Sequence, residues 1–210
     1  VVVFGRVGER GLRVVEAKEL TPRPNVTIRF IYAKAAEPAA SAVLFQGGPG
    51  QIGIFPNGTT RGGSFLAVGA RRFTQQGITV AIVDAPSDRR TLDEFRHTAE
   101  QAQNIATVIA FLREQRSLPV WAIGTSMDRF QQRRGGDPLQ SYSMASWPPY
   151  STPKKIDLIT VDGGFPGSNV CHGGHRQFLG IENEVTQKTA DWIKQYQASA
   201  SAATGTGVKP

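Results

Sequence analysis

The stretch PVWAIGTSMDRF, Pro119 to Phe130, decides how the rest of the chain is read. Val120 to Ile123 have strand character and run into Gly124-Thr125-Ser126-Met127. A strand that ends in G-x-S and opens a helix holds its serine on a strained turn, with the hydroxyl exposed above a sheet. The N–H of the next residue, Met127, then sits at a helix N-terminus, where it stabilises an oxyanion. The glycine expected two residues after the serine, where helix and neighbouring strand approach closely, is replaced by Asp128. Its carboxylate gains slightly from the helix dipole, but it adds bulk and negative charge beside Ser126. Taken alone, a G-x-S after a strand is often an ordinary turn, so its meaning depends on its surroundings.

Upstream, LRVVEAK (Leu12 to Lys18) and VTIRFIYAK (Val26 to Lys34) read as strands. In the second, Ile28, Phe30 and Tyr32 alternate on one face, as in an edge strand with one solvated side. ASAVLFQ is almost continuously apolar, suits an interior strand, and breaks at Gly47-Gly48-Pro49-Gly50. In SFLAVGARRFTQQG, Phe65, Leu66, Ala70 and Phe73 share a helical face, and Gly77 caps the end. Ile78 to Asp84 is a buried strand by its β-branched run. Thr91 and Glu94 form a capping-box signature, followed by Leu92, Phe95, Ala99, Ala102, Ile105, Ile109 and Leu112 at helical spacing. His97 lies within that helix and reads as a surface or packing residue. Alternating strands and helices predict an α/β fold: a mostly parallel sheet with helices on both faces, a three-layer αβα sandwich.

After the serine the pattern changes. Asp128 to Lys155 shows neither helical nor strand period, and residues Phe130 to Pro153 are expected to be poorly ordered. Order returns with the strand IDLITVD, then a loop with Cys171, His172 and His175, then an amphipathic helix with Val185, Thr189, Trp192, Ile193 and Tyr196 on one face. The organisation expected is one domain over residues 1–197, with an irregular segment at 128–155 and a frayed small-residue tail at 198–210.

The bulk composition restricts the function classes. With 210 residues, 40% hydrophobic and 20% charged, the chain is long enough for one well-cored globular domain. No apolar run approaches the roughly 20 residues of a membrane span. VVVFGRVGERGLRVV is too short and interrupted for a signal peptide, and the missing initial Met reads as a mature form or a fragment. The single cysteine excludes an internal disulfide. The net charge of +7 raises the question of an acidic partner. Yet the basic residues are scattered in pairs (Arg71-Arg72, Arg89-Arg90, Arg133-Arg134, Lys154-Lys155) with no interleaved aromatics. A solvated basic surface is the expectation, and no nucleic-acid partner. No metal-ligand cluster or nucleotide fingerprint is present, so neither metal nor cofactor is expected.

Two glycine-bearing turns after strands carry the chemistry. QGGPG, Gln46 to Gly50, stands upstream of the serine, where a glycine-rich loop supplies the second oxyanion N–H. Gly47 and Gly48 let a backbone amide approach substrate without side-chain obstruction. The alternative is an ordinary Gly-Pro turn.

QGGPG, ITVAIVDAPSDRRT, TLDEFRHTAEQAQNIATVIAFL and WAIGTSM together resemble α/β-hydrolase superfamily proteins of the bacterial serine-hydrolase type. CHGGHRQFLGIENEVTQKTADWI resembles the C-terminal histidine loop and last helix of the same family. The likeness covers roughly the first 127 residues and again about Ile156 to Lys194. It implies Ser126 as nucleophile, an oxyanion hole from Met127 with Gly47 and Gly48, and a histidine before FLGIE as base. It also implies a small-molecule acyl substrate and a periplasmic or extracellular location. The family histidine stands two residues before the phenylalanine, and Arg176 holds that position here. His175, one step away, is the assignment, with His172 three further back. Arginine stays protonated and cannot be the base.

Chain length limits what lies between serine and histidine. Only 49 positions separate Ser126 from His175 (175 − 126), whereas one βαβ unit takes about 30 residues or more. The acid-bearing unit is therefore expected to be missing, with part of the C-terminal half of the sheet. Among Asp137, Asp157 and Asp162, Asp162 at a strand's end is the substitute acid chosen by chemistry. A shifted reading frame, deletion or wrong splice would account for the change at Asp128 and the recovery near Lys155. Activity is expected to be impaired; a non-catalytic remnant or a small-ligand-binding protein on the same fold is the alternative, and a basic interaction module the third reading. If Asp128 obstructs the serine turn, Asp128→Gly should speed the reaction of Ser126 with a fluorophosphonate; an unchanged rate in a folded variant would remove the steric argument.

Overall fold

The computed structural model describes residues 15–61, 66, 69–124, 178 and 180–205. The elements are β1 (Val15–Arg23), β2 (Val26–Ala33), β3 (Ala40–Phe45), α1 (Ala70–Gln75), β4 (Ile78–Val83), α2 (Ala99–Gln115), β5 (Val120–Gly124) and α3 (Glu182–Gly205). The strands form one sheet in the order β1-β2-β4-β3-β5. β1 pairs antiparallel with β2 and β2 with β4, while β3 pairs parallel with both β4 and β5. Four strands therefore run one way and β2 alone runs the other. The sheet is mixed, mostly parallel and open.

The β1–β2 hairpin turns on Pro24-Asn25, between the paired residues Arg23 and Val26. Proline pre-sets the first turn position and Asn25, at φ 59°, takes the left-handed second position, as a type II turn requires. This hairpin corrects the reading of Val26 to Lys34 as an edge strand. β2 is interior, flanked by β1 and β4, and Ile31 and Ala33 are buried as well as Ile28, Phe30 and Tyr32. The alternation came from Thr27 and Arg29, which are half-buried near the hairpin. Arg29 reaches across to Glu19 at 2.6 Å and to the carbonyl of Ile54 at 2.9 Å, so its charge is satisfied on a partly exposed surface.

Because successive strand residues point to opposite faces, the apolar residues sort into two clusters. One joins Ile28, Phe30, Tyr32, Val43, Phe45, Ala81 and Val83 to Ile105, Val108 and Leu112 of α2. Phe111 of α2 stands edge-on to Phe30 and Tyr32, with ring centroids 5.3 Å apart in each pair. The other joins Ile31, Ala33, Ala42, Leu44, Val80 and Ile82 to Leu66, Phe73 of α1, and Ala190 and Ile193 of α3. Both β3 and β4 are buried along their whole length, which accounts for their apolar runs, interrupted only by Ser41 and Thr79. Trp121 of β5 meets Trp192 and Tyr196 of α3, with both centroid distances 5.3 Å.

Ala70 and Phe73 are buried, as the helical face over that stretch predicts, with Leu66 ahead of them. Gly77 ends α1 at φ 76°. The buried face of α2 also carries Gln101 and Asn104, which the apolar stripe does not reveal. Asn104 donates to Gln101 at 2.9 Å and accepts from Arg23 Nε at 3.0 Å, so the pair is satisfied inside the core. α3 continues to Gly205, well into the stretch read as a small-residue tail; its alanines suit a helix. The irregular segment 128–155, the strand IDLITVD and Phe65 lie outside the described residues. Among the described residues no helix is long and apolar enough to cross a membrane.

The start of α2 differs from the capping-box expectation. Thr91 is exposed, Glu94 makes no side-chain cap, and residues Phe95–His97 form a single 3-10 turn. Thr98 is the N-cap, its hydroxyl accepting the Gln101 N–H at 3.2 Å. Two T-x-x-E/Q signatures stand in succession, Thr91 to Glu94 and Thr98 to Gln101. Packing of Leu92 and Arg96 beneath the β3 loop withdraws the first from the helix. Thr98→Ala should therefore cost about 1 kcal/mol in urea unfolding, with Thr91→Ala within about 0.5 kcal/mol of the parent; the reverse ranking would restore the capping box at Thr91.

Candidate functional site

The strand ends define the candidate site. β3 and β5 are parallel neighbours and end level with each other, Phe45 opposite Gly124. Adjacent strands stand about 4.8 Å apart. The loop Gln46 to Gly50 therefore leaves the sheet beside the point where the chain leaves β5, two residues before Ser126 in sequence. On the other side of β3, β4 ends level with it, Phe45 opposite Val83, and delivers Asp84 to the same edge.

Gln46, Gly47 and Gly48 are half-buried, Pro49 is exposed and Gly50 is buried. Gly48 has φ 63° and Gly50 φ 75°, a region that side chains with a Cβ enter only at a cost of about 1–2 kcal/mol. Their surroundings differ. A Cβ on Gly48 would meet nothing within 4 Å, whereas one on Gly50 would lie 2.7 Å from both Arg96 Nη2 and Leu92 Cδ1. Gly48 thus turns an open side outward, while Gly50 lets the loop settle onto Leu92 and Arg96.

Three attachments hold this loop. The Leu92 N–H donates to the Pro49 carbonyl at 2.8 Å. Arg96, 9% exposed, donates from Nη1 to the carbonyl of Gln46 at 3.3 Å and from Nη2 to that of Gly48. Asp84, 8% exposed, accepts the Ile52 N–H at 2.7 Å on Oδ1 and the Ile54 N–H at 2.8 Å on Oδ2. Its own neighbour Ala85 adds a third N–H at 2.8 Å. A carboxylate so engaged by backbone donors is an anchor. Burial pushes the Arg96 guanidinium down from its usual range, and the Asp93 carboxylate opposes that shift.

Beyond the anchored amides the chain makes a small excursion closed by the Ile54–Thr60 bridge. Phe55 on it is 41% exposed, with the Arg61 guanidinium 5.8 Å from its ring centre. Behind the loop, Phe95 is flanked by Arg89 at 4.5 Å and Arg23 at 5.7 Å. Arginines thus stand on both sides of Phe95 and beside Phe55.

Of the site residues read from sequence, Gly47 and Gly48 stand at the carboxyl edge beside the end of β5. Ser126, Met127, Asp128, Asp162, His172, His175 and Arg176 lie outside the described residues. Asp84, Leu92 and Arg96 are the residues that sequence reading missed. One signal for Arg96 was available: it falls four residues after Leu92, within the apolar stripe Leu92, Phe95, Ala99 of the predicted helix. A cation at a core-facing position calls for a specific acceptor. No protein family model, curated protein or solved structure matches this chain. Asp84→Asn should place an amide donor against a loop N–H and cost about 1–3 kcal/mol of stability; equal melting of variant and parent would deny Asp84 its anchoring role.

Proposed function

We propose that the chain is a serine hydrolase of the α/β-hydrolase type, acting on an ester or similar acyl substrate, with reduced activity. One observation carries the reading. The glycine loop follows β3 and the G-x-S turn follows β5, and these two parallel strands end side by side. An oxyanion hole needs one N–H from each of these two turns, and adjacency is the condition for them to converge on one atom. Further support comes from the two core clusters. α1 belongs to one and α2 to the other, as in a three-layer αβα sandwich, where a ligand crevice forms at the carboxyl ends of strands whose connections diverge.

In this reading the Ser126 hydroxyl oxygen attacks the acyl carbon and His175 takes its proton. The oxyanion is held by the N–H of Met127 and an N–H of the Gly47–Gly48 turn. The intermediate collapses, the carbon–oxygen bond to the leaving alkoxide breaks, and His175 returns the proton to it. Water then attacks the acyl-serine by the same route, releasing the acid and restoring Ser126. Asp162 is the candidate for orienting His175. Asp128 in the elbow and the displaced histidine account for the reduced rate.

Turnover of p-nitrophenyl acetate should be slow, and Ser126→Ala should abolish it together with fluorophosphonate labelling. Loss of the acid alone costs a triad much less than loss of its serine or histidine, so a weak but Ser126-dependent signal is the expected result. Hydrolysis indifferent to Ser126→Ala would instead place the reaction on surface groups and overturn the proposal.

A further inference from the structure

We infer that Arg96 is a positioning residue for the oxyanion-binding loop, aligning and polarising the Gly47 N–H through the peptide it shares with Gln46. This deepens the reading of Ser126 as an acyl-transfer nucleophile and rests on it. The argument begins with an unfavourable burial. Arg96 is 9% exposed, and the Asp93 carboxylate that acts on it does not outweigh the cost of its burial. Its Nε is buried with no hydrogen-bond partner. A buried cation that serves only to fill space is costly, and an apolar side chain of similar length usually does as well or better.

The charge is spent on two backbone carbonyls of the glycine loop, those of Gln46 and Gly48. A trans peptide is planar, with its C=O and N–H pointing in opposite directions. Fixing the Gln46 carbonyl on Arg96 therefore aims the N–H of the same peptide, which belongs to Gly47, away from Arg96. A cation on the carbonyl oxygen also polarises the whole peptide unit and strengthens that N–H as a donor, because hydrogen bonds in series reinforce one another. The second contact, to Gly48, fixes the following residue at φ 63° with its open side outward. Gly50 completes the fit: any Cβ there would displace both Arg96 and Leu92. The loop glycines are thus matched to one arginine, and that arginine bonds to the carbonyls of the loop whose amides face substrate in the proposed mechanism.

The test uses the full chain, a fluorophosphonate, and the variants Arg96→Met, Arg96→Gln and Arg96→Lys. The maximal rate of Ser126 phosphonylation should fall about 10- to 100-fold in Arg96→Met, less than the roughly 10²–10³-fold loss of an entire oxyanion donor. Its half-saturating concentration should hold, and Arg96→Lys should recover part of the rate. A parent-like rate in folded Arg96→Met overturns the inference. If Arg96→Met does not fold, Arg96→Gln, which keeps a neutral donor, decides the matter: slowed labelling upholds the role and a parent-like rate ends it. Should the parent itself not be labelled at Ser126, the hydrolase reading fails, and the Gly47 amide resonance in ¹⁵N-labelled protein tests the loop. An upfield shift with faster exchange in Arg96→Met upholds the positioning, and an unchanged resonance overturns it.

Discussion

Parallel pairing of β3 with strands on both its sides organises this molecule. All six residues of β3 are buried, so its backbone groups must be satisfied within the sheet, by β4 on one flank and β5 on the other. Parallel register then ends three strands at one edge: Phe45 beside Val83 and beside Gly124. The three strand ends therefore lie together, and residues distant in sequence, such as Asp84 and Ile52, meet there. The antiparallel β1–β2 hairpin extends the sheet beyond β4, leaving the carboxyl edge of β3 to the glycine loop.

Adjacency alone would leave a mobile glycine turn. Gln46 to Gly50 has few side chains with which to hold itself, so its order is imported from other elements. Asp84, at the end of β4, takes two amides just beyond the loop, and Arg96, ahead of α2, takes two carbonyls within it. The two anchors are opposite in charge and bind complementary backbone groups. Both are nine-tenths buried, where a hydrogen bond to a charged group is strongest and an unpaired charge most costly. The same need shifts the start of α2. Leu92 and Arg96 are held under the loop, one 3-10 turn intervenes, and the helix proper begins at its second cap, Thr98.

The net charge of +7 acquires a local meaning at this edge. Arg23 is engaged by Asp88 and Asn104, Arg29 by Glu19, and these read as structural. Arg96 has only carbonyls as hydrogen-bond acceptors among the described residues, and Arg61 stands over exposed Phe55. A basic chain does not require an acidic macromolecule as partner to account for such a distribution.

Local pattern was sufficient for much of the fold. The apolar runs of β3 and β4, the left-handed Gly77, the stripe Ile105 to Leu112 and the strand before Gly124 are all legible, because burial and backbone conformation act on neighbouring residues. Gly47 and Gly48 were legible as a loop for the same reason. Pairing was not legible. Whether Val26 to Ala33 lies at an edge or between two strands depends on β1 and β4, whose partners no local alternation specifies. The choice between Thr91 and Thr98 as helix cap was likewise beyond local reading, since both carry the signature and only the packing of Leu92 and Arg96 separates them. Asp84 and Arg96 became site residues only when the sheet brought the ends of β3 and β4 together. Short-range chemistry is written along the chain, whereas hydrogen bonds spanning 30 to 50 residues, such as Asp84 to Ile54 and Arg96 to Gln46, exist only once the tertiary structure has closed the distance.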